Sequence, residues 1–521
     1  MGRTESHVRF AALGRPGAVG TGSVTSDLVA SPPGVRGAEG RLVAARPGDV
    51  DQRVELARLL QVAAAIEHSL MVQYLYAAYS ADVVIAAGTF PDAALWQQQV
   101  LTVAREEMGH LMTVQNALRL IGAEPNWKRE DIPWDGPYYP FPMEFEPFTF
   151  IAIEKYVYAE MDPSIDQVPP PGRKVSPQRK QWEVLRKKID ADVQKATNSK
   201  AKHVGTLFHD LLARLRDPTL TDERWFDPAT YAQQASWDAW GKGYRPHPLD
   251  ADLDDPHQPP NVIVAQMGTR TEAIDGLMQI AGQGEAPHLR HPRTRTPSHF
   301  DRFMAVYDGV APVATQVDAL VKNLPTNPTT QPTPVAHTDV AALQRQYISS
   351  AASRGLAQLS NQRYRMLVTN LAHSQIVAAS SDAAVRATGG YLMQRAFADM
   401  FNVKTLAGLL FRAPLTDTPG DPRRAGPPFE LPDSLDITGR TPRQMWQLQL
   451  ELTKTSAQYC AALLKGAAAP PGESKRFLLT LADLDINDIN RITAIVKALS
   501  DDERPDDERP DDERPDDGIE R

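Results

Sequence analysis

Acidic side chains on otherwise apolar helix faces are the feature that most constrains this chain. They occur between Gln61 and Gly122, in two stretches whose apolar residues recur with helical spacing. In the first stretch, Glu67 has Ala63 and Met71 one turn away on either side, so its carboxylate is predicted to point into a core. Because an unpaired carboxylate is too costly to bury, this residue needs a partner.

The second stretch supplies a Glu-x-x-His pair. Glu107 and His110 are three residues apart and share one helix face. Carboxylates and imidazoles that point into a helical bundle bind two irons or manganeses in ferritin-like proteins, so this pair and Glu67 predict a metal site. The alternative is a buried, hydrogen-bonded polar network. Tyr74, two turns from Glu67, is a candidate to donate a hydrogen bond or an electron near the metal, although core packing is the better explanation for it.

Composition and charge argue against several classes of function. The formal net charge is −9, but residues 501–521 hold twelve acids and four bases, so the rest of the chain is close to neutral. It has no basic stripe, and neither nucleic acid nor a membrane surface is an expected partner. The single cysteine, Cys460, excludes an intramolecular disulfide and a thiolate cluster. With no signal peptide or membrane-spanning apolar run, a cytoplasmic location is expected.

Helical spacing recurs along most of the chain, and period-two alternation does not persist, so the fold class is predicted to be all-α. A ferritin-like helix bundle with long loops is expected first, followed by a second helical unit. The predicted parts are a disordered or loosely attached segment at 1–46, the metal-binding domain at 47–310, a helix end and Thr/Pro-rich linker at 311–337, a helical domain at 338–500 and a disordered acidic tail of DDERP repeats at 501–521.

The remaining ligands of a two-metal site are less clear from the residues alone. Glu154 lies on an apolar face of a third helix, but no histidine follows three residues later. His203 and His209 lie one turn before and one turn after Thr206, about 120° apart, so both cannot face the same point equally.

A further candidate pair comes later in the chain. Glu285 and His288 form a second Glu-x-x-His, but Pro287 lies between them and makes a regular helix doubtful. His299, in the sequence SHF, is the alternative to His288 as the histidine ligand.

Several segments resemble the ferritin-like domain of enzymes of the iminophenylpyruvate dimer synthase type. In order they are AIEHSLMVQYLYAAYS, VAREEMGHLMTVQNALRLIGAEP, FIAIEKY, HVGTLFHDLL, IAGQGE and SHFDRF. Those enzymes, from bacterial violacein and rebeccamycin or staurosporine pathways, oxidatively couple two imines derived from aromatic amino acids. The resemblance covers about residues 50–310. It supports the three ligands already named and adds Glu285 and His299.

The chain departs from that family's pattern at Thr206. The family has Gly-Glu-Leu-Tyr where this chain has Gly-Thr-Leu-Phe, so a carboxylate is missing. The resemblance then implies that His203 or His209 replaces it, that Glu154 moves in, or that only one metal binds. The family's coupling enzymes have also been associated with haem.

Together these observations predict an oxidoreductase with mononuclear or dinuclear non-haem iron. It would use dioxygen or peroxide to oxidise a small aromatic or amino-acid-derived metabolite, and a homo-oligomer is compatible with the sequence. The alternatives are a metal-free ferritin-like binding or scaffold protein, and a haem-dependent oxidase with His110, His209 or His299 as the axial ligand.

Overall fold

The computed structural model describes residues 47–81, 88–129, 138–162, 177–198, 203–236, 261–289, 296–332, 345–432, 434–435, 437, 439–465 and 472–499. The chain divides into two compact units, the first ending at Lys322 and the second beginning at Asn323. The segments predicted to be disordered, 1–46 and 501–521, lie outside the described residues.

The first unit is built from helices. They are α1 (Pro47–Ser80), α2 (Ala93–Leu120), α3 (Phe150–Ala159), α4 (Pro177–Thr197), α5 (Gly205–Arg216), α6 (Arg270–Gln283), α7 (His299–Val310) and α8 (Ala314–Val321). Short 3-10 turns occupy Glu223–Trp225, Pro228–Gln233, Pro287–Leu289 and Ala311–Val313. Helix α1 packs along α2, α2 also contacts α6 and α7, and α3 contacts α7, so these five helices surround the interior.

Local sequence signals fix two helix ends that matter for the interior. Ser298, the N-cap of α7, forms a capping box with Asp301, which makes His299 the first residue of that helix. Gly122 follows α2 with φ +63°, a conformation that glycine adopts without strain. Nearby, the guanidinium of Arg53 donates to the carbonyl of Ile121 at 3.0 Å, which satisfies a carbonyl at the helix end.

The second unit is also helical. It comprises α9 (Ala351–Ala378), α10 (Ala383–Arg386), α11 (Gly389–Leu410), α12 (Pro442–Lys465) and α13 (Gly472–Ala498). Helix α9 packs against α11 and α12, and α12 packs against α13. Among the described residues the only strands are Pro328–Thr329 and Gln346–Tyr347, which form a two-residue parallel pair. The all-α prediction is therefore confirmed.

The structure describes residues 311–332 of the region predicted as a helix end and linker. Helix α8 continues to Val321, and residues 323–332 belong to the second unit. Asn327 is buried, and the Thr329 hydroxyl donates to the carboxylate of Glu430 at 2.6 Å. The Thr and Pro composition prevented a helix here, but hydroxyl and backbone contacts to a distant carboxylate, which local pattern cannot reveal, hold the segment in place.

No helix in the described part of the chain is both long and apolar enough to cross a membrane.

A buried histidine in the second unit makes its stability sensitive to pH. His373 on α9 has no exposed surface, its ring meets the edge of Trp446 at 4.9 Å between centroids, and neither ring nitrogen has a hydrogen-bond partner among the described residues. Burial, with a smaller effect from Arg395, lowers its pKa to about 3. His373 therefore stays neutral in the folded protein at pH values where the unfolded chain is protonated.

Replacing His373 should remove part of the acid sensitivity of folding. Below the ordinary pKa of 6.5 the unfolded chain gains a proton that the folded chain does not, so the free energy of unfolding falls by about 1.4 kcal/mol per pH unit. By pH 5 this loss is about 2 kcal/mol. His373→Phe keeps the aromatic contact and should show a correspondingly flatter profile when urea unfolding is compared with wild type between pH 7.5 and 5. Parallel profiles would contradict the assignment.

Candidate metal centre

Four glutamates and two histidines converge in the interior of the first unit. Glu67 comes from the middle of α1, Glu107 and His110 from α2, Glu160 from the C-terminal end of α3, Glu285 from just beyond α6, and His299 from the start of α7. None of the six has any exposed surface. We refer to these six residues as the carboxylate cluster.

Glu107 lies between the two imidazoles. Its Oε2 is 3.0 Å from Nδ1 of His110, and its Oε1 is 3.0 Å from Nδ1 of His299. The two rings are nearly parallel, at 19°, with their centroids 5.0 Å apart. One carboxylate therefore offers one oxygen to each histidine position, as a bridging ligand would.

Each imidazole also has a carboxylate of its own. Oε2 of Glu67 is 3.5 Å from Nδ1 of His110, and Oε2 of Glu160 is 3.5 Å from Nδ1 of His299. The cluster therefore has a His110 half and a His299 half, joined by Glu107. Glu285 belongs to the same group, since ligand atoms of Glu67, Glu107 and Glu285 all lie within 4.8 Å of one another.

The outward-facing nitrogens of the imidazoles face side-chain oxygens outside the cluster. Nε2 of His110 is 3.0 Å from Oε1 of Gln283, and Nε2 of His299 is 3.3 Å from Oε2 of Glu106. An acceptor at Nε2 favours the tautomer that carries its proton there and leaves Nδ1 free to bind a metal. Both histidines thus present Nδ1 to the cluster.

An extended segment, residues 261–267, runs over α2 and supports these outer contacts. Thr113 donates to the carbonyl of Ile263 at 3.2 Å and accepts from the backbone N–H of Ala265 at 3.1 Å. Gly109, between the two cluster residues of α2, permits this approach, because a Cβ there would lie 2.5 Å from the Ile263 carbonyl oxygen. The glycine of the sequence EEMGH therefore serves backbone packing.

Asn261, at the start of that segment, connects the two outer partners. Its backbone N–H donates to Oε1 of Glu106 at 2.9 Å, and its carbonyl accepts from Nε2 of Gln283 at 3.0 Å. The backbone of one residue thus orients both side chains that face the imidazoles.

Within the described part of the chain, many cluster atoms lack a hydrogen bond. They are both carboxylate oxygens of Glu67, Glu107 and Glu285, Oε2 of Glu160, Nδ1 of His110 and both ring nitrogens of His299. Buried polar atoms without partners are costly and call for an explanation such as an ion. In addition, a Cβ added at Gly284 would lie 3.4 Å from Cε1 of His110 and 3.5 Å from Nδ1 of His299, so the glycine keeps space open beside both rings. The donor set and its unpartnered atoms fit a metal centre.

Protonation in the cluster is strongly coupled. Burial raises the pKa of Glu67 well above its ordinary value, and the nearby charges of Glu285 and Glu107 raise it further. Burial opposes ionisation of Glu107, yet His299 and His110 hold its pKa below the usual range. Burial also disfavours a charged imidazole, but Glu107 and Glu67 raise the pKa of His110. Four ionised carboxylates with two neutral imidazoles would match the charge of two divalent cations.

The structure brings together five residues proposed as ligands from sequence: Glu67, Glu107, His110, Glu285 and His299. Tyr74, proposed as a residue near the metal, donates its hydroxyl hydrogen bond to Oε1 of Glu160. Its ring packs against Tyr156 and Phe303, at 4.8 and 4.9 Å between centroids, so it is at once a core residue and a contact of the cluster.

Three other candidates are not among the close contacts of the cluster, as far as the described residues show. Oε1 of Glu154 accepts from Nζ of Lys188 at 2.7 Å. His203 stacks on Tyr158 with centroids 4.9 Å apart, and His209 is partly buried on α5. Glu154 was expected to face inward because its neighbours are apolar, but inward-facing positions on α3 do not all point to the same place.

Glu160 is the ligand candidate that sequence reasoning missed. It lies about 240° further around the helix than Glu154, on the face shared with Tyr156 and Val157. Its spacing of three and four residues from Val157 and Tyr156 could have indicated an inward-facing position. However, Glu160 is the C-cap of α3 rather than a residue within the helix. Thr206, where the family resemblance suggested a missing carboxylate, is exposed. The cluster therefore has its fourth glutamate without any contribution from that position.

Comparison with known families agrees with this arrangement. Residues 60–308 match the family model described as Ferritin-like, which agrees with the all-α, ferritin-like fold of this part of the chain. The match spans the whole carboxylate cluster. No curated protein and no solved structure shows significant similarity to the chain.

Proposed function

We propose that the chain is a dinuclear iron oxidoreductase that oxidises a small aromatic or amino-acid-derived metabolite. The observation that carries the proposal is the pairing of the His110 half and the His299 half through Glu107, with unpartnered carboxylate oxygens directed inward. Glu67, Glu107, Glu160 and Glu285, with the two imidazoles, would hold the metal. Four carboxylates and two histidines are the usual ligands of two irons or manganeses in helical bundles.

Bound iron would supply the redox chemistry for which dioxygen or peroxide is the expected oxidant. The chain itself contributes a buried interior that excludes water. In this interior the hydroxyl group of Tyr74 donates a hydrogen bond to Glu160. Burial raises the pKa of Tyr74 well above its ordinary value, and Glu160 raises it further, so the phenol stays protonated and donates.

The choice of substrate class rests on the resemblance to the iminophenylpyruvate dimer synthase type. Coupling two aromatic imines would release two protons and two electrons, which dioxygen or peroxide would accept. We therefore propose an aromatic 2-imino acid as the first substrate to test, and a cytoplasmic location in agreement with the buried, unpaired Cys460.

The alternatives receive less support from the site. A haem axial histidine would need space for a macrocycle beyond its ligating ring nitrogen, whereas both ring nitrogens of His110 and of His299 lie 3.0–3.3 Å from side-chain oxygens. A metal-free scaffold would be expected to pair its buried polar atoms, and in the described part of the chain the cluster carboxylates are largely unpartnered.

Metal uptake tests the proposal directly. Anaerobic titration of the purified full chain with Fe(II), followed by desalting and elemental analysis, should give about two irons per chain, and air should then change the absorbance. Thr206→Ala is the matched control and should load equally, because Thr206 is exposed. A chain that takes up no stoichiometric transition metal would instead fit the scaffold alternative.

The substrate class is tested separately. An aromatic 2-imino acid generated in the assay by an amino-acid oxidase should be consumed by the iron-loaded chain, with a coupled product detected by mass spectrometry. Iron loading without consumption would retain the metal centre and reject this substrate.

A further inference from the structure

We infer that the two halves of the cluster are unequal, and that the His299 half binds its metal ion first and more tightly than the His110 half. The inference rests on the proposed metal centre and concerns the side chains that lie behind the two imidazoles.

The two histidines differ in the charge of the group facing Nε2. His110 faces the amide oxygen of Gln283 at 3.0 Å, which is neutral. His299 faces a carboxylate oxygen of Glu106 at 3.3 Å. A carboxylate behind a ligating histidine raises the basicity of the nitrogen that binds the metal. The difference therefore favours a cation at Nδ1 of His299.

Contacts to Asn261 and Arg302 fix the carboxylate of Glu106 behind His299. Its Oε1 accepts from the backbone N–H of Asn261 at 2.9 Å and lies 3.4 Å from the guanidinium of Arg302. A second nitrogen of Arg302 donates to Gln99 at 2.9 Å, which fixes the guanidinium. With Oε1 occupied in this way, Oε2 is the oxygen that faces His299.

The amide of Gln283 is oriented with similar definition. Its Nε2 donates to the carbonyl of Asn261 at 3.0 Å, so Oε1 is the atom directed at His110. Both halves consequently specify the same imidazole tautomer. Both halves have an acceptor at Nε2 of the histidine, and they differ in the charge of that acceptor.

Two contacts act in the opposite direction. The guanidinium of Arg302, 3.4 Å from Oε1 of Glu106, offsets part of the charge of that carboxylate. Tyr74 donates a hydrogen bond to Oε1 of Glu160 in the His299 half, but this leaves Oε2, the oxygen 3.5 Å from Nδ1 of His299, to the cation. Outer-shell partners of histidine ligands typically change metal affinity by about 10–100-fold, so the contribution of Glu106 should dominate.

Stepwise metal binding by the wild-type chain provides the first test. Anaerobic titration with Co(II), followed by its visible absorbance, should show two binding steps whose Kd values differ by about tenfold or more. Two equal steps would overturn the inference and leave the metal centre intact. Absence of Co(II) binding would overturn both, and the two failures are therefore distinguishable without any variant.

Glu106→Gln assigns the steps to the halves. Its amide oxygen should remain on the N–H of Asn261, which turns the NH₂ group toward Nε2 of His299 and favours the tautomer with the proton on Nδ1. The tighter step should weaken by about 10–100-fold and the weaker step should not change.

The reciprocal variant, Gln283→Leu, removes the acceptor of His110 and should affect only the weaker step. Circular dichroism establishes that each variant is folded before titration. If Glu106→Gln weakens the second step alone, or both steps equally, the assignment is overturned. Because the readout is metal affinity, the test does not depend on knowing the substrate.

Discussion

Glu107→Gln should abolish binding of both metal ions while leaving the fold intact. Glu107 is the one carboxylate with an oxygen 3.0 Å from Nδ1 of each histidine. Glutamine has nearly the same shape but offers a single oxygen, and its NH₂ group cannot bind a cation. The affinity for metal should fall by more than the roughly 10–100-fold loss that follows removal of a hydrogen-bond partner behind a ligand. Elemental analysis after Fe(II) loading should find less than one iron per chain, with helical circular dichroism unchanged.

Glu154→Gln is the matched control for this experiment. It makes the same chemical change on a buried glutamate of the same domain, but Glu154 is bonded to Lys188 and does not contact the cluster histidines. It should retain both ions. Retention of two irons by Glu107→Gln, or equal losses in the two variants, would show that Glu107 does not bridge the metal positions.

The fold was predictable because its signals are local. Long stretches of helical spacing and caps such as Ser298 specify helices from neighbouring residues alone. The same holds for the three ligand candidates on α1 and α2, where an acid or imidazole surrounded by apolar neighbours indicates an inward-facing position.

The rest of the cluster depends on how helices meet, which local pattern does not contain. Glu154 and Glu160 are both buried on or beside α3, and only packing against α7 decides which one reaches His299. Glu285 and His299, which the resemblance proposed as ligands, lie in the cluster, but the resemblance also led to Thr206 as the place of a lost carboxylate. Glu106 presents the same difficulty, because its partners Asn261 and Arg302 are distant in sequence.

Carboxylates without hydrogen-bond partners in a protein core lower the stability of the metal-free protein but allow it to bind metal. Each buried carboxylate without a hydrogen bond costs free energy in the absence of a cation, and bound metal recovers that cost by stabilising the folded state alone. Removal of one acid therefore distinguishes a metal centre from a structural polar network. The metal-free chain should become more stable if the cluster is a metal centre, and less stable if it is a satisfied polar network.

Glu67→Leu should stabilise the metal-free chain by about 1–3 kcal/mol, because a buried carboxyl group without a hydrogen bond is replaced by an apolar side chain of similar size. Ala63, Ala64, Leu70 and Met71 around it are all buried, and neither Glu67 oxygen has a hydrogen bond in the described part of the chain. Urea unfolding in a chelator should show the gain, and Fe(II) should stabilise the variant less than it stabilises wild type. If the metal-free variant instead unfolds more easily than wild type, Glu67 belongs to a satisfied structural network, and the scaffold alternative takes precedence over the metal centre.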